Sequence, residues 1–153
     1  MGHQTKRFLI INGPNLNLLG KREKSIYGDL SLDKIKERTE GLLKRNHDVP
    51  VELIWFQSNS ESEIIVQIQR TLSDLEDINA LIINPGAFSH TSVAILDALR
   101  AIDKPVVEVH LSNTAARESF RSIKLTAKSA TIIMEGLGAD AYYCAINSQL
   151  IKE

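Results

Sequence analysis

A chain of 153 residues, 43% apolar and 24% charged, is long enough to bury a real core as one domain and has the composition of an ordinary globular protein. A net charge of −1, with no block of Lys or Arg, argues against nucleic acid or an anionic membrane as partner. The single cysteine, Cys144, excludes an internal disulfide, and no stretch is apolar enough for a signal peptide or a bilayer span, so a reducing, cytoplasmic setting is expected.

The first apolar run, FLIIN at 8–12, lacks alternation and so suits a strand covered on both faces, as in a parallel sheet. A polar connection follows, NGPNLNLLGKREKSIYG at 12–28, which puts an arginine five residues before a tyrosine between Gly20 and Gly28. From 31 to 45, Leu32, Ile35, Thr39, Leu42 and Leu43 fall on one helical stripe, with Ser31 as its N-cap. VELIWF at 51–56 reads as the second strand, and a helix from about Ser60 to Leu75 turns Ile64, Ile65, Ile68 and Leu72 inward. ALIIN at 80–84 is the third strand, after which Ser89 or Thr91 caps a helix running through Ile102. VVEVHL at 106–111 is the fourth strand, with a short helix expected after Asn113. ATIIM at 130–134 is a weaker fifth strand, and the last helix spans roughly Ala139 to Ile151.

Five alternations of strand and helix, without repeat or linker, predict a doubly wound α/β domain over 1–153. Its strand count is flavodoxin-like, with a five-stranded parallel sheet and helices on both faces. Such sheets bind ligands at the carboxyl ends of the strands, beside the topological switch point, here between the first and third strands. The loops at 12–28, 84–91 and 110–114 therefore matter most. They direct Asn12, Asn15, Asn17, Arg22, Tyr27, Asn84, His90, His110, Ser112 and Asn113 toward one crevice. Singly, each has a plain explanation: Asn and Ser after strands form turns and caps, and one histidine after a strand is more often structural. Three polar loops converging are harder to explain that way.

Neither nucleotide fingerprint, GxGxxG nor GxxxxGK[ST], is present. His90 and His110 could ligate zinc with Glu108, but no pair has local ligand spacing. Acid–base chemistry without cofactor or metal is the expectation that remains. A phenol with an ordinary pKa near 10 is a poor base at neutral pH unless a cation stabilises its phenolate. Arg22 is the cation near Tyr27, although a solvated Arg22 beside a Tyr27 that merely anchors the loop fits the spacing equally well. His110 is the natural acid opposite such a base. Peptide N–H groups of Leu111 and Ser112, ahead of a helix start, would suit a carboxylate, and Asn15 could hold a water against an enolate oxygen. The chemistry these residues suggest is proton abstraction beside a carbonyl in a small anionic substrate.

Three motifs, NGPNLNLLGKREKSIYG, INPGAFSHTSVAILDAL and EVHLSNTAARESFR, closely resemble those of type II 3-dehydroquinate dehydratase, and the similarity runs over nearly the whole chain. The resemblance implies a flavodoxin-like fold and a dodecamer built as a tetramer of trimers. It also implies trans elimination of water from 3-dehydroquinate to 3-dehydroshikimate through an enolate, with no metal or cofactor. On that resemblance Tyr27 matches the base, Arg22 its support, His110 the acid and Asn15 the water-holding residue. Asn84, His90, Leu111, Ser112 and Arg121 match substrate-binding positions, and Asp97 matches a residue presented to a neighbouring subunit's site. Three departures stand out: Lys24 where the lid commonly has proline, Ala115 where an aromatic residue or histidine is usual, and an atypical stretch at 122–134. Two alternatives stay open, a related hydro-lyase acting on another cyclic polyol acid and a non-catalytic flavodoxin-like binding module.

Overall fold

The computed structural model describes residues 2 and 4–152; Met1, His3 and Glu153, which belong to the expected 1–153 domain, lie outside the described residues. Its centre is a five-stranded parallel sheet in the order β2-β1-β3-β4-β5, formed by β1 (Lys6–Asn12), β2 (Val51–Gln57), β3 (Ala80–Asn84), β4 (Val106–His110) and β5 (Ile132–Glu135). This is the flavodoxin-like order, and the chain reverses its direction of travel between β1 and β3.

The apolar run of β1 explains the two layers. Phe8, Leu9, Ile10 and Ile11 are all buried, and a period of two sends alternate side chains to opposite faces. Phe8 and Ile10 meet α2 (Leu32–Asn46) and α6 (Ala141–Leu150), whereas Leu9 and Ile11 meet α3 (Glu61–Gln69) and α5 (Val93–Ala101). Burying each of these side chains contributes roughly 1.5–3 kcal/mol. Three serines start three of these helices in the same way. Ser31, Ser60 and Ser92 each accept the backbone N–H three residues on, from Lys34, Glu63 and Ile95. Helix α2 also carries Asp33 in its first turn and Lys44 and Arg45 in its last, matching its dipole.

Several expected boundaries move. The helix expected from Ser60 to Leu75 stops at Gln69, and a 3-10 turn at Arg70–Leu72 rotates Leu72 outward to 51% exposure. Neither Ser89 nor Thr91 caps α5: a one-turn helix α4 (Phe88–Thr91) comes first, so the capping position falls on Ser92. The helix expected after Asn113 is only a 3-10 turn at Thr114–Ala116, and β5 begins at Ile132 rather than 130. The connection at 12–28 contains a further one-turn helix, α1 (Lys24–Tyr27), which the apolar pattern does not foreshadow.

Candidate active site

The carboxyl ends of β1, β3 and β4 open onto a cleft of about 130 Å³. Asn15, Arg22 and Tyr27 line it from the first connection, Asn84 and His90 from the third strand onward, and His110, Leu111, Ser112 and Arg121 from the fourth. Asp97 is not among them: it sits exposed on α5, away from this lining. Asn12, Asn17 and Asn113 do not line the cleft either; Asn12 is buried, Asn17 is exposed, and Asn113 caps the turn at Thr114 by accepting the Ala115 N–H.

Two connections are pressed together at the switch point. A side chain at Gly13 would meet the Pro85 carbonyl oxygen at 2.3 Å, so only glycine permits this contact. Two residues later Asn15 takes a left-handed conformation (φ 67°), which Asn tolerates better than most, and its N–H donates to Asn59 Oδ1 at 2.9 Å.

The spacing of Arg22 and Tyr27 is resolved by α1. Its single turn, closed by the Tyr27 N–H donating to the Glu23 carbonyl at 3.0 Å, folds the tyrosine back onto the arginine. Arg22 Nη2 donates to Tyr27 Oη at 3.1 Å, and its Cζ lies 4.1 Å from the ring centroid. A second guanidinium, that of Arg117, has its Cζ 5.1 Å from the same centroid, with Nη1 donating to Ser112 Oγ at 3.3 Å. The tyrosine is thus held among cations, and Arg22 is not a solvated surface charge.

Opposite lies a buried pair. His110 Nε2 is 2.7 Å from Oε1 of Glu108, a carboxylate with no exposed surface. Ser89 donates to the same oxygen at 2.8 Å, and Thr126 donates to Oε2 at 2.8 Å. With the carboxylate as acceptor, Nε2 carries a hydrogen, and the imidazole is fixed in orientation. The His90 ring stacks against that of His110 with centroids 6.4 Å apart. Burial lowers the His90 pKa, and repulsion from Arg121, His110 and Lys124 adds to this, outweighing the Ile123 carbonyl 2.8 Å from Nδ1. His90 therefore favours its neutral form; donating from Nδ1 to Ile123, it leaves Nε2 as an acceptor.

Beneath the cleft, Tyr142 joins two of the asparagines. Its hydroxyl donates to Asn12 Oδ1 and accepts from Asn84 Nδ2 at 3.1 Å, while Asn84 Oδ1 accepts the Gly86 N–H at 3.2 Å. Burial pushes the Tyr142 phenol far above its ordinary value, so it serves as a neutral hydroxyl that fixes the Asn84 amide.

Reading the sequence overlooked two groups. Arg117 sits in an irregular segment with no period to place it. Glu108 reads from the sequence only as a zinc ligand, yet it carries a signal: one acid within an otherwise apolar run, two residues before His110 and so on the same face of the strand. Among the described residues, no group of three His, Cys, Asp or Glu side chains is placed to hold a metal ion. The expected helix start behind Leu111 and Ser112 is absent, which leaves peptide N–H groups without a helix dipole for anion binding.

The family model for dehydroquinase class II matches residues 6–150. The 3-dehydroquinate dehydratase of Aliarcobacter butzleri is 44% identical over 149 residues, covering 96% of this chain and 87% of that one. That of Clostridium botulinum (strain Hall) is 45% identical over 148 residues, covering 95% and 97%. Among solved structures, the type II dehydroquinase of Butyrivibrio crossotus superposes with a TM-score of 0.86 at 37% identity, covering 95% of this chain and 98% of that one.

Proposed function

The chain belongs to the class II dehydroquinase family, and from that premise we propose how its residues remove water from 3-dehydroquinate. The reaction class is the family's own: a hydro-lyase step yielding 3-dehydroshikimate in the shikimate pathway, leading to aromatic amino acids. The observation that carries the mechanism is the donation from Arg22 to the Tyr27 oxygen, with Arg117 over the ring. Tyr27 takes the C2 proton beside the C3 carbonyl as its phenolate, and the two guanidiniums stand against the oxygen and the ring that carry that charge. The C–H electrons move into the carbonyl to give an enolate, against which Asn15 holds a water.

Collapse of the enolate breaks the C1–O bond as His110 gives a proton to the departing hydroxyl. Glu108 stabilises the protonated imidazole beforehand. Transfer of the proton from Tyr27 to solvent, and uptake of one by His110, restore the starting state. Substrate is held at its carboxylate by the peptide N–H groups of Leu111 and Ser112, and at its ring hydroxyls by Asn84, His90 and Arg121. The neutral His90 Nε2 suits an O–H donor. No metal or cofactor enters these steps.

Incubation of the purified protein with 3-dehydroquinate should produce the ultraviolet absorbance of a conjugated enone, before and after exhaustive chelation. Absence of any rise would sink the assignment. A rise lost on chelation and restored by a divalent ion would overturn only the cofactor-free mechanism.

The proposal extends to assembly: a single catalytic domain in a cytoplasmic dodecamer, a tetramer of trimers, with Asp97 reaching the cleft of a neighbouring subunit. Its support is that Asp97 is exposed on α5 and does not line the cleft of its own chain. No helix among the described residues is long and apolar enough to cross a membrane. Sedimentation with activity measured across the gradient tests this. Activity should travel with a multi-subunit species, and a fully active monomer would refute the role given to Asp97.

A further inference from the structure

Between β4 and β5 the chain forms only three 3-10 turns, Thr114–Ala116, Ser119–Ser122 and Thr126–Ser129. Within residues 114–124 the large apolar side chains, Phe120 and Ile123, are exposed by 60% and 61%. Apolar burial therefore does little to hold residues 114–124. Yet this segment supplies Thr114, Arg117 and Arg121 to the cleft, and the Ile123 carbonyl that orients His90. Something polar has to fix it, because three long cationic or ring side chains lose much rotamer freedom when ordered.

Glu135 is placed to do so. It ends β5 in register with His110, so the two side chains leave neighbouring strands on the same face of the sheet. Its Oε1 accepts from the Thr114 hydroxyl at 2.7 Å and lies 3.1 Å from Lys124 Nζ. One carboxylate oxygen thus takes both ends of the segment. Glu135 and Lys124 are mostly buried, with side chains 21% and 17% exposed, so water and salt screen the pair less than a surface ion pair. Burial opposes ionisation of Glu135, but the Thr114 hydroxyl and the Lys124 ammonium outweigh it and hold the carboxyl below its ordinary range. Downstream, the Leu125 N–H donates to the Ser89 carbonyl at 2.7 Å, so the segment is anchored beyond Lys124 as well.

We propose that Glu135 and Lys124 are positioning residues for the dehydration, clasping the 114–124 segment against the end of β5 so that Arg117, Arg121 and His90 face the substrate. Neither residue lines the cleft, and both act through groups that do. The inference rests on reading the cleft as the dehydratase site, but one arm of its test does not.

Glu135→Gln keeps an acceptor for Thr114 and removes the charge that holds Lys124. Lys124→Met keeps the stem and removes the ammonium, and Lys124→Arg restores a cation. Arg121 and His90 bind substrate and transition state alike, whereas Arg117 also supports Tyr27, so KM for 3-dehydroquinate should rise on the order of tenfold in the Gln and Met variants, with a smaller fall in kcat through Arg117. The Arg variant should recover most of this. Amide hydrogen exchange over 114–124 should quicken in Gln and Met but not in Arg, whatever the activity.

Unchanged KM and unchanged exchange in both the Gln and Met variants overturn the clasp. A lower melting temperature with unchanged KM and exchange also overturns it, reducing the pair to general stability. Should wild-type protein fail to turn over 3-dehydroquinate, the dehydratase reading falls, and the exchange measurement still decides whether the pair holds the segment.

Discussion

Tyr27→Phe is expected to abolish turnover and, with it, exchange of the substrate's C2 proton in deuterium oxide. The substitution keeps the ring beside the Arg22 and Arg117 guanidiniums, whose centres lie 4.1 and 5.1 Å from its centroid, so the 12–28 connection retains that packing. What it removes is the oxygen to which Arg22 donates. Losing a positioned base costs on the order of 10²–10⁴-fold in rate. No other polar side chain that the first connection brings to the cleft replaces it, since Asn15 is an amide and Arg22 a guanidinium donor with no acceptor. Both readouts should therefore fail together, because removal of the C2 proton precedes every later step. Proton NMR of the substrate follows the exchange directly. Exchange persisting at the wild-type rate would show that another group abstracts the proton.

His110→Ala should fail differently. Turnover should fall on the order of 10²-fold or more, the usual cost of losing a general acid, while some C2 exchange into substrate survives. The base and its arginines are untouched, so the enolate still forms and returns, and only loss of the C1 hydroxyl is obstructed. The variant also removes the ring from Glu108, leaving that buried carboxylate with the Ser89 and Thr126 hydroxyls. An under-satisfied buried acceptor costs about 1–3 kcal/mol, so a lowered melting temperature is expected alongside the kinetic change. A variant that melts lower but exchanges C2 protons and does not turn over separates chemistry from stability. Exchange vanishing in His110→Ala but surviving in Tyr27→Phe would reverse the two roles.

Much of this architecture was readable from side-chain period alone. Runs such as FLIIN and ALIIN are apolar without alternation because both faces of their strands are covered, and that pattern survives whatever the neighbours are. The five alternations then force a doubly wound sheet, and the sheet in turn places the loops after β1, β3 and β4 at one crevice. Of the ten residues that chain order directs there, seven line the cleft, Asn15, Arg22, Tyr27, Asn84, His90, His110 and Ser112, joined by Leu111, named for its peptide N–H, and by Arg121, named on the resemblance; Asn12, Asn17 and Asn113 do not. Where periods failed, the reading failed too. A helix expected after Asn113 proved a single turn, and Leu72 faced solvent, since short turns carry too few residues for a 3.6-residue stripe to register.

Partnerships were decided only in three dimensions. Spacing left Arg22 equally a solvated charge or a partner for Tyr27, and the one-turn helix α1 settled their contact by folding the ring back over the arginine. Glu108 stood two residues from His110 in plain view, but its hydrogen bonds from Ser89 and Thr126 come from 19 and 18 residues away. Arg117 over Tyr27, Tyr142 between Asn12 and Asn84, and Glu135 between Thr114 and Lys124 are likewise contacts between distant parts of the chain. A pattern along the chain records which face a residue must bury, because the hydrophobic effect is non-directional and sums over neighbours. It does not record which donor meets which acceptor, because a hydrogen bond holds only over a few tenths of an ångström and a narrow angle, tolerances that the packed structure alone can meet.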